Sequence, residues 1–521
     1  MKQILPSSAT NNGLSKVLKW LLPVIPALAA LWIYLVMLPG EITSANYGKD
    51  GGDFLAAALT GGVPHPTGYP TYMLILRFFL DLPLVDNYFK GSLLSAFAAA
   101  LAVFLFSTLI AHRNKWSGAG IIGALVGGMA LAFSPLFWSQ AVIVEVQALQ
   151  AFFICLSLWW ITLLEEAGFS TLKKTGLLFL ACGMGVGIGN HITIIFIVPW
   201  LVLAARKAYL NGLAGRWLAG QGIALAAGCL VYLYLPIAAQ YYPPVNWGNP
   251  QSAEGFWWLI SASPYQNMLF GVSGSQVLDR LGMLIKLVVE QFSLPGLLVA
   301  AVGIFLNKVN SKLFYWGLVW MFTVYSVFFV SYNSNDSVVY LIPSWIAFSA
   351  WIGIGISWVW GKRFHSIPWG ASAGVLILAA LLVRIPLNWS SVDPKRDTKT
   401  QQYLEIITRK APPGAIMLTL ADADTFPLWY RVFGERIRDD LRIIVLPLAQ
   451  YPWYQDTLRH NYLDLNYPPE VANLAWGDQL VKLNPGRPVC RSENPAGDLQ
   501  KIKITCDGIE LLNLDFSQKG N

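Results

Sequence analysis

Gly91-Ser-Leu-Leu-Ser-Ala-Phe-Ala-Ala-Ala-Leu-Ala-Val-Phe-Leu-Phe-Ser-Thr-Leu-Ile-Ala111 runs for 21 residues without a charge and is followed at once by His112-Arg113-Asn114-Lys115. A helix rises 1.5 Å per residue, so about 20 apolar residues cross the ~30 Å hydrocarbon layer. The run is continuous rather than alternating, which excludes a membrane β-barrel strand. The basic cluster at one end is an orientation signal.

Ten further apolar windows lie at roughly 20–39, 118–137, 143–163, 176–190, 191–205, 217–236, 287–306, 313–331, 338–360 and 368–387. The chain therefore reads as a polytopic α-helical membrane protein with about 11 transmembrane helices. Windows 176–190 and 191–205 are short and meet at Gly189-Asn190-His191. One long broken helix is the alternative there. The composition agrees with a membrane chain: 521 residues, 55% hydrophobic, 12% charged, mean hydropathy +0.50. An ordinary soluble globular chain carries roughly 25% charged residues.

Residues 1–387 hold 20 Lys+Arg against 12 Asp+Glu, and residues 388–521 hold 16 against 17, so the net +7 belongs to the membrane part. That is not the footprint of a nucleic-acid binder. With the N-terminus inside, 14 of those 20 basic residues fall in inner loops, including Lys2, Lys16, Lys19, Arg113, Lys173, Lys308 and Arg363. Glu165 and Glu166 are the acids placed inside. The outer basic residues are Lys49, Arg77, Lys90, Arg280, Lys286 and Arg384. The first span has no small-residue cleavage site and reads as an anchor rather than a signal peptide. Eleven spans set a membrane domain at 1–387 and put residues 388–521 outside as a small α/β extracytoplasmic domain. In that domain Ala415–Leu420 reads as a strand, Thr425–Phe433 as a helix and Arg442–Leu448 as a second strand. No organelle address is visible, and a bacterial-type plasma (inner) membrane with the N-terminus in the cytoplasm is the expected location.

Cys155, Cys182 and Cys229 fall in spans and read as core residues. Cys490 and Cys506 fall in the outer domain, where an oxidising compartment would let them pair.

The chemistry concentrates in two long outer loops, about 40–90 and 237–286. The first reads Tyr47-Gly-Lys-Asp-Gly-Gly-Asp-Phe54 and then Gly61-Gly-Val-Pro-His-Pro-Thr-Gly-Tyr-Pro70. Ionisable groups at a membrane edge are functional candidates. Asp53 precedes a helix-forming run and is placed to cap it. Asp50 sits on a glycine-flanked turn, where a carboxylate could take a proton from an attacking hydroxyl. The two could instead hold a divalent cation, although no cofactor is expected. His65 is fixed between two prolines. Tyr69 and Tyr72 read as interface anchors. Glu145 stands at the outer start of a span, suited either to a helix N-terminus or to substrate hydroxyls. Asn190-His191 either caps a helix or lines a cavity. The second loop carries Pro243-Pro-Val-Asn-Trp-Gly-Asn-Pro250, Phe256-Trp-Trp258 and Tyr265, and reads mainly as a membrane-surface aromatic belt; Asn246 and Trp247 are its substrate-binding candidates. Asp336 ends a further outer loop. A lipid-linked phosphate would need a cation, for which Arg77, Arg280, Lys286 and Arg384 are the candidates. Lys286 and Glu290 are four apart and suited to pair with each other.

These residues resemble a bacterial family of protein O-mannosyltransferase-like membrane proteins within the C-type glycosyltransferase (GT-C) superfamily. The resemblance rests on Asp50-Gly-Gly-Asp53, His65-Pro-Thr-Gly-Tyr-Pro70, Glu145-Val-Gln-Ala-Leu149, Gly189-Asn-His191, Tyr234-Leu-Pro236, Pro243–Pro250, Tyr332–Asp336, Asp422-Ala-Asp-Thr-Phe-Pro-Leu-Trp-Tyr430 and Trp453-Tyr454. It spans nearly the whole chain. Thr67 replaces a proline of the usual motif, and the arginine that often follows the Leu-Pro of the seventh span is absent. The resemblance implies transfer of a sugar, mannose or another hexose, from a polyprenyl-phosphate donor to a protein or glycan hydroxyl outside the cytoplasm. It favours Asp50, four residues before Phe54, as the base and Asp53 as its neighbour. His65, Tyr69, Glu145, His191, Asn246, Trp247 and Asp336 are then substrate-binding candidates. A transporter or flippase, or a non-catalytic scaffold, is the alternative. A transporter predicts inverted repeats and ionisable groups deep in the spans, and the sequence displays neither.

Overall fold

The computed structural model describes residues 21–306, 311–360, 362, 369–470, 473, 475–494, 499 and 501–515. Lys2, Lys16, Lys19, Lys308 and Arg363 lie outside the described residues.

Among the described residues, nine helices are long and apolar enough to cross a membrane, or ten if one bent pair counts as a span. Each of the eleven expected windows holds a helix, and two of them stand apart from the nine. The first window is the shorter helix Leu22–Met37, and the window at 118–137 is the pair Gly118–Ala132 and Pro135–Ala141, bent by 68°. Pro135 explains the break: its ring has no N–H to give and pushes the residue before it out of the helical region, and Ser134 is extended. The ambiguous region holds two helices, Thr171–Ile188 and Ile192–Leu210.

Helices meet where side chains are small. A Cβ at Gly123 would lie 2.2 Å from the Gly353 carbonyl, so Gly118–Ala132 and Ile342–Val359 approach backbone to backbone. Lipid gives apolar helices little reason to associate, so contacts of this kind supply the packing. Ser117, Ser170 and Ser311 cap the helices that follow them. At the basic ends of the spans, Arg113 pairs with Glu165 at 3.0 Å and His112 with Glu166 at 2.7 Å. These groups all fall in the loops the charge pattern places on one side.

The C-terminal part is built on a five-stranded sheet: β1 Ile416–Thr419, β2 Arg442–Val445, β3 Val489–Glu493, β4 Lys501–Cys506 and β5 Ile509–Asp515. Its order is β2-β1-β3-β4-β5. β1 pairs in parallel with β2 and β3, and β3 to β5 form an antiparallel meander. The expected strand–helix–strand order holds, with helix Asp422–Trp429 between β1 and β2. Cys490 and Cys506 face each other across β3 and β4 and form a disulfide.

Two contacts gather the second outer loop and the C-terminal part over the first outer loop. Val63 forms a parallel bridge with Asn246: its N–H donates to the Val245 carbonyl at 2.9 Å, and its carbonyl accepts from Trp247 N–H at 3.1 Å. Helix Gly51–Thr60 packs against helix Asp422–Trp429 and the turn Tyr430–Gly434. A Cβ at Gly52 would stand 2.4 Å from the Phe426 carbonyl, so only glycine permits this approach.

Candidate functional site

The first outer loop folds so that one imidazole lies between two carboxylates. Asp53 is fully buried in the first turn of Gly51–Thr60. It does not cap that helix, contrary to the sequence expectation; Asp50 occupies the cap position, without a side-chain cap bond. The Asp53 carboxylate instead accepts from the His65 backbone N–H at 2.9 Å and from Trp247 Nε1 at 3.2 Å, and His65 Nδ1 lies 2.7 Å from it. On the other side of the ring, His65 Nε2 stands 3.5 Å from Asp50 Oδ2. Phe426 stacks on the imidazole with centroids 6.0 Å apart. Asp53 is spent on these bonds, whereas the Asp50 side chain keeps 28% exposure and faces open space.

The electrostatics follow from enclosure. Burial alone would lower the His65 pKa, but the Asp50 and Asp53 carboxylates outweigh it and lift it to about 9. The ring is therefore an imidazolium at neutral pH. Burial raises Asp50 to about 7 against the opposing pull of His65. Asp422, carried by the C-terminal part and open to the cleft, is raised to about 6 by desolvation there, with His65 again pulling it down. Elevated carboxylates beside a cation suit proton transfer near neutral pH.

Two cavities meet at these residues. A polar vestibule of about 980 Å³ is lined by Lys49, Asp50, Asp336, Arg396, Lys399 and Asp422, among others. A largely apolar groove of about 540 Å³ runs past His65, Tyr69, His191, Phe196, Phe328 and Tyr340. Asp50, Ser334, Asp336 and Asp422 line both. Ile195, Leu269 and Phe270 line the groove and are 42%, 44% and 80% exposed, so it opens sideways onto the apolar surface.

The other sequence candidates divide. Tyr69 and Tyr72 are buried, not surface anchors; Tyr69 packs on His65 and lines the groove. His191 does both things foreseen for it. Its Nδ1 accepts the Thr193 N–H at 3.3 Å, capping Ile192–Ile197, and its ring lines the groove. With Nδ1 accepting, the neutral ring carries its proton on Nε2. Trp247 orients Asp53, and Asn246 supports the Val63 bridge. Asp336 lines both cavities and accepts from Ser334 Oγ. Glu145 is buried, accepts its neighbour Val146 N–H at 2.7 Å, and lines neither cavity.

The four phosphate candidates line neither cavity. Arg77 lies beside the Tyr234 hydroxyl. Arg280 is consumed by the loop that carries Asp336, donating to the carbonyls of Phe329 at 2.9 Å, Tyr332 at 2.6 Å and Ser334 at 3.2 Å. Lys286 pairs with Glu290 at 3.6 Å, as their spacing foretold, and Arg384 donates to the Glu290 carbonyl. The cations that do line the vestibule are Lys49, Arg396 and Lys399. Asp422 and Arg396 had no local signal beyond the Asp422–Tyr430 motif. The aromatic segment of the second loop is partly an inter-domain contact: Trp258 packs on Tyr451 at 5.6 Å, and Tyr242 stacks on His460 at 3.7 Å.

Residues 50–209 match the Protein O-mannosyl-transferase TMEM260 N-terminal domain, and residues 396–469 match TMEM260-associated domain 2. The site draws on both segments, Asp50 and His65 from the first and Asp422 from the second. The mouse protein O-mannosyl-transferase TMEM260 is 25% identical over 500 residues, covering 91% of this chain and 69% of the mouse protein. Its Dictyostelium discoideum namesake is 22% identical, covering 81% of this chain and 57% of its own length. Among solved structures, ArnT from Cupriavidus metallidurans bound to undecaprenyl phosphate superposes with a TM-score of 0.57 at 16% identity, covering 91% of this chain and 93% of that one. The oligosaccharyltransferase AglB from Archaeoglobus fulgidus, in complex with an inhibitory peptide and a dolichol-phosphate, gives 0.55 at 11% identity, covering 92% and 70%.

The chain is thus similar in sequence to protein O-mannosyl-transferases and shares its fold with ArnT and AglB. These relatives come from a mouse and an amoeba, so the likeness is not particular to bacterial proteins.

Proposed function

We propose that this protein transfers a hexose from a polyprenyl-phosphate-linked donor to a hydroxyl of a protein or glycan. One observation carries the reading: the Asp50–His65–Asp53 array stands where a laterally open apolar groove meets a polar vestibule. The polyprenyl chain enters the groove from the bilayer. The acceptor enters through the vestibule.

Asp50 takes the proton of the acceptor hydroxyl. The acceptor oxygen bonds to the anomeric carbon as the bond from that carbon to the phosphate oxygen breaks, and polyprenyl phosphate leaves with the electron pair. Attack opposite the leaving group inverts the anomeric configuration. Lys49, Arg396 and Lys399 line the side where phosphate charge develops. Asp53 and Trp247 hold the His65 ring and its carboxylate partner in place. The imidazolium supplies a positive charge between the carboxylates.

The Cys490–Cys506 disulfide and the positive-inside charge pattern support an extracytoplasmic site with the N-terminus in the cytoplasm. The plasma membrane is the proposed location.

The test is transfer of radiolabelled mannose or glucose from the polyprenyl-phosphate donor in membranes carrying wild type or Asp50→Asn at equal expression. Wild-type transfer that drops roughly 10²–10⁴-fold in the variant is expected for a lost general base. Transfer by neither protein, despite folded wild type, would overturn the reading.

A further inference from the structure

A third, smaller cavity of about 210 Å³ lies between the second outer loop and the C-terminal part. Its walls include Trp247, Trp258, Tyr265, Phe426 and Tyr451, with Asp422 at its mouth. Tyr265, Asp422 and Phe426 line the apolar groove as well, so the small cavity opens onto it beside His65. Asp422 lines all three cavities.

Helix Asp422–Trp429 begins with two acids that have different tasks. Asp424 is fully buried and accepts the N–H groups of Leu420 at 3.1 Å and Ala421 at 2.8 Å. The Asp422 carboxylate takes no hydrogen bond among the described residues, although it stands in the cleft. Its place in the first turn of the helix suits a carboxylate, and it faces the charges of His65 and Lys49.

We infer that this aromatic slot, with Asp422 at its mouth, is the subsite for the sugar ring of the donor. A pyranose has an apolar C–H face and an edge of hydroxyl donors. Aromatic walls match the face, and a carboxylate accepts from the edge in charge-assisted bonds. The slot is smaller than the roughly 300–1,000 Å³ pocket of a drug-sized ligand, which suits one ring. No Lys or Arg is among the described residues lining the slot, so a phosphate belongs with the vestibule cations. A polyprenyl chain has no use for a carboxylate and belongs in the groove. The anomeric carbon then falls at the junction of the three cavities, next to Asp50.

This inference rests on the glycosyl-transfer reading, and binding separates the two. Full-length protein in nanodiscs is titrated with polyprenyl-phosphate-mannose and with bare polyprenyl phosphate. Wild type is expected to prefer the mannose-bearing lipid about tenfold or more, one or two hydrogen bonds' worth. Trp258→Ala and Asp422→Asn, tested separately, are each expected to abolish that preference. Trp258 does not line the groove, so Trp258→Ala should still bind the bare lipid like wild type, which shows the variant is folded. Preference retained in both variants overturns the inference, as does equal weakening of both lipids by Trp258→Ala. A wild type that prefers the sugar lipid yet transfers nothing would sink the transfer reading and leave the slot standing.

Discussion

Trp247 Nε1 donates to Asp53 Oδ1 across 3.2 Å, although 194 residues separate the two. The bond depends on the Val63–Asn246 bridge, which delivers the indole from the second outer loop to the first. Trp247→Phe keeps most of the ring and removes the donor. Losing a hydrogen bond to a buried charge costs about 1.5–3 kcal/mol, or roughly ten- to hundredfold if it is felt at the rate-limiting step. We expect kcat to fall within that range. An unchanged kcat would mean that Asp53 is held well enough by His65 alone.

The pH profile follows from Asp50. A base works only when ionised, so activity is expected to fall as pH drops through about 7, the value to which burial raises this carboxyl. His65 pulls that value down. In His65→Gln the pull is gone, and the acid limb of kcat/KM should move to higher pH. A limb left in place, or moved the other way, would separate Asp50 from the proton transfer.

Gly52→Ala tests the seal between the two parts. The added carbon would stand 2.4 Å from the Phe426 carbonyl. Backbone must move, and overpacking of this kind costs typically 1–3 kcal/mol. We expect a lower Tm and faster proteolysis near residues 411–415, together with loss of transfer. A variant with wild-type stability would show that the two parts do not close on each other in the membrane.

Arg280 distinguishes a loop organiser from a phosphate ligand. Its guanidinium holds three carbonyls and the Ser337 hydroxyl of the loop around Asp336. Arg280→Ala is expected to lower Tm and kcat by disordering that loop. Arg396→Ala, at a vestibule cation, should raise the donor KM with little change in Tm. The opposite pattern would return Arg280 to the role its position in the sequence suggests.

What could be read from the residues alone was local. An uncharged run such as Gly91–Ala111 announces its helix whatever surrounds it. Asp50, Asp53 and His65 lie within 16 residues of one another, so their shared role showed in their spacing. Cys490 and Cys506 stood out as the two cysteines of the outer part. The bend at Pro135 and the assignment of cations were not legible in the same way. Arg280 and Arg396 look alike as isolated basic residues; only the fold spends one on carbonyls and turns the other toward a cavity. Asp422 is 357 residues from His65, and no pattern of local spacing can express that proximity. The Asp53 cap was misread because a cap and a buried anchor both precede a helical run, and the difference lies in Trp247.

Synthesis proceeds from the N-terminus, and domains commonly fold in that order. Asp50 and His65 therefore reach the membrane while Asp422 and Phe426 are still untranslated. A nascent chain holds the base and its imidazole under an open roof, and only delivery of the segment that carries Asp422 and Phe426 closes it. A nonsense mutation between codons 411 and 421 would spare every membrane-crossing helix described above and still leave a protein unable to finish its own site.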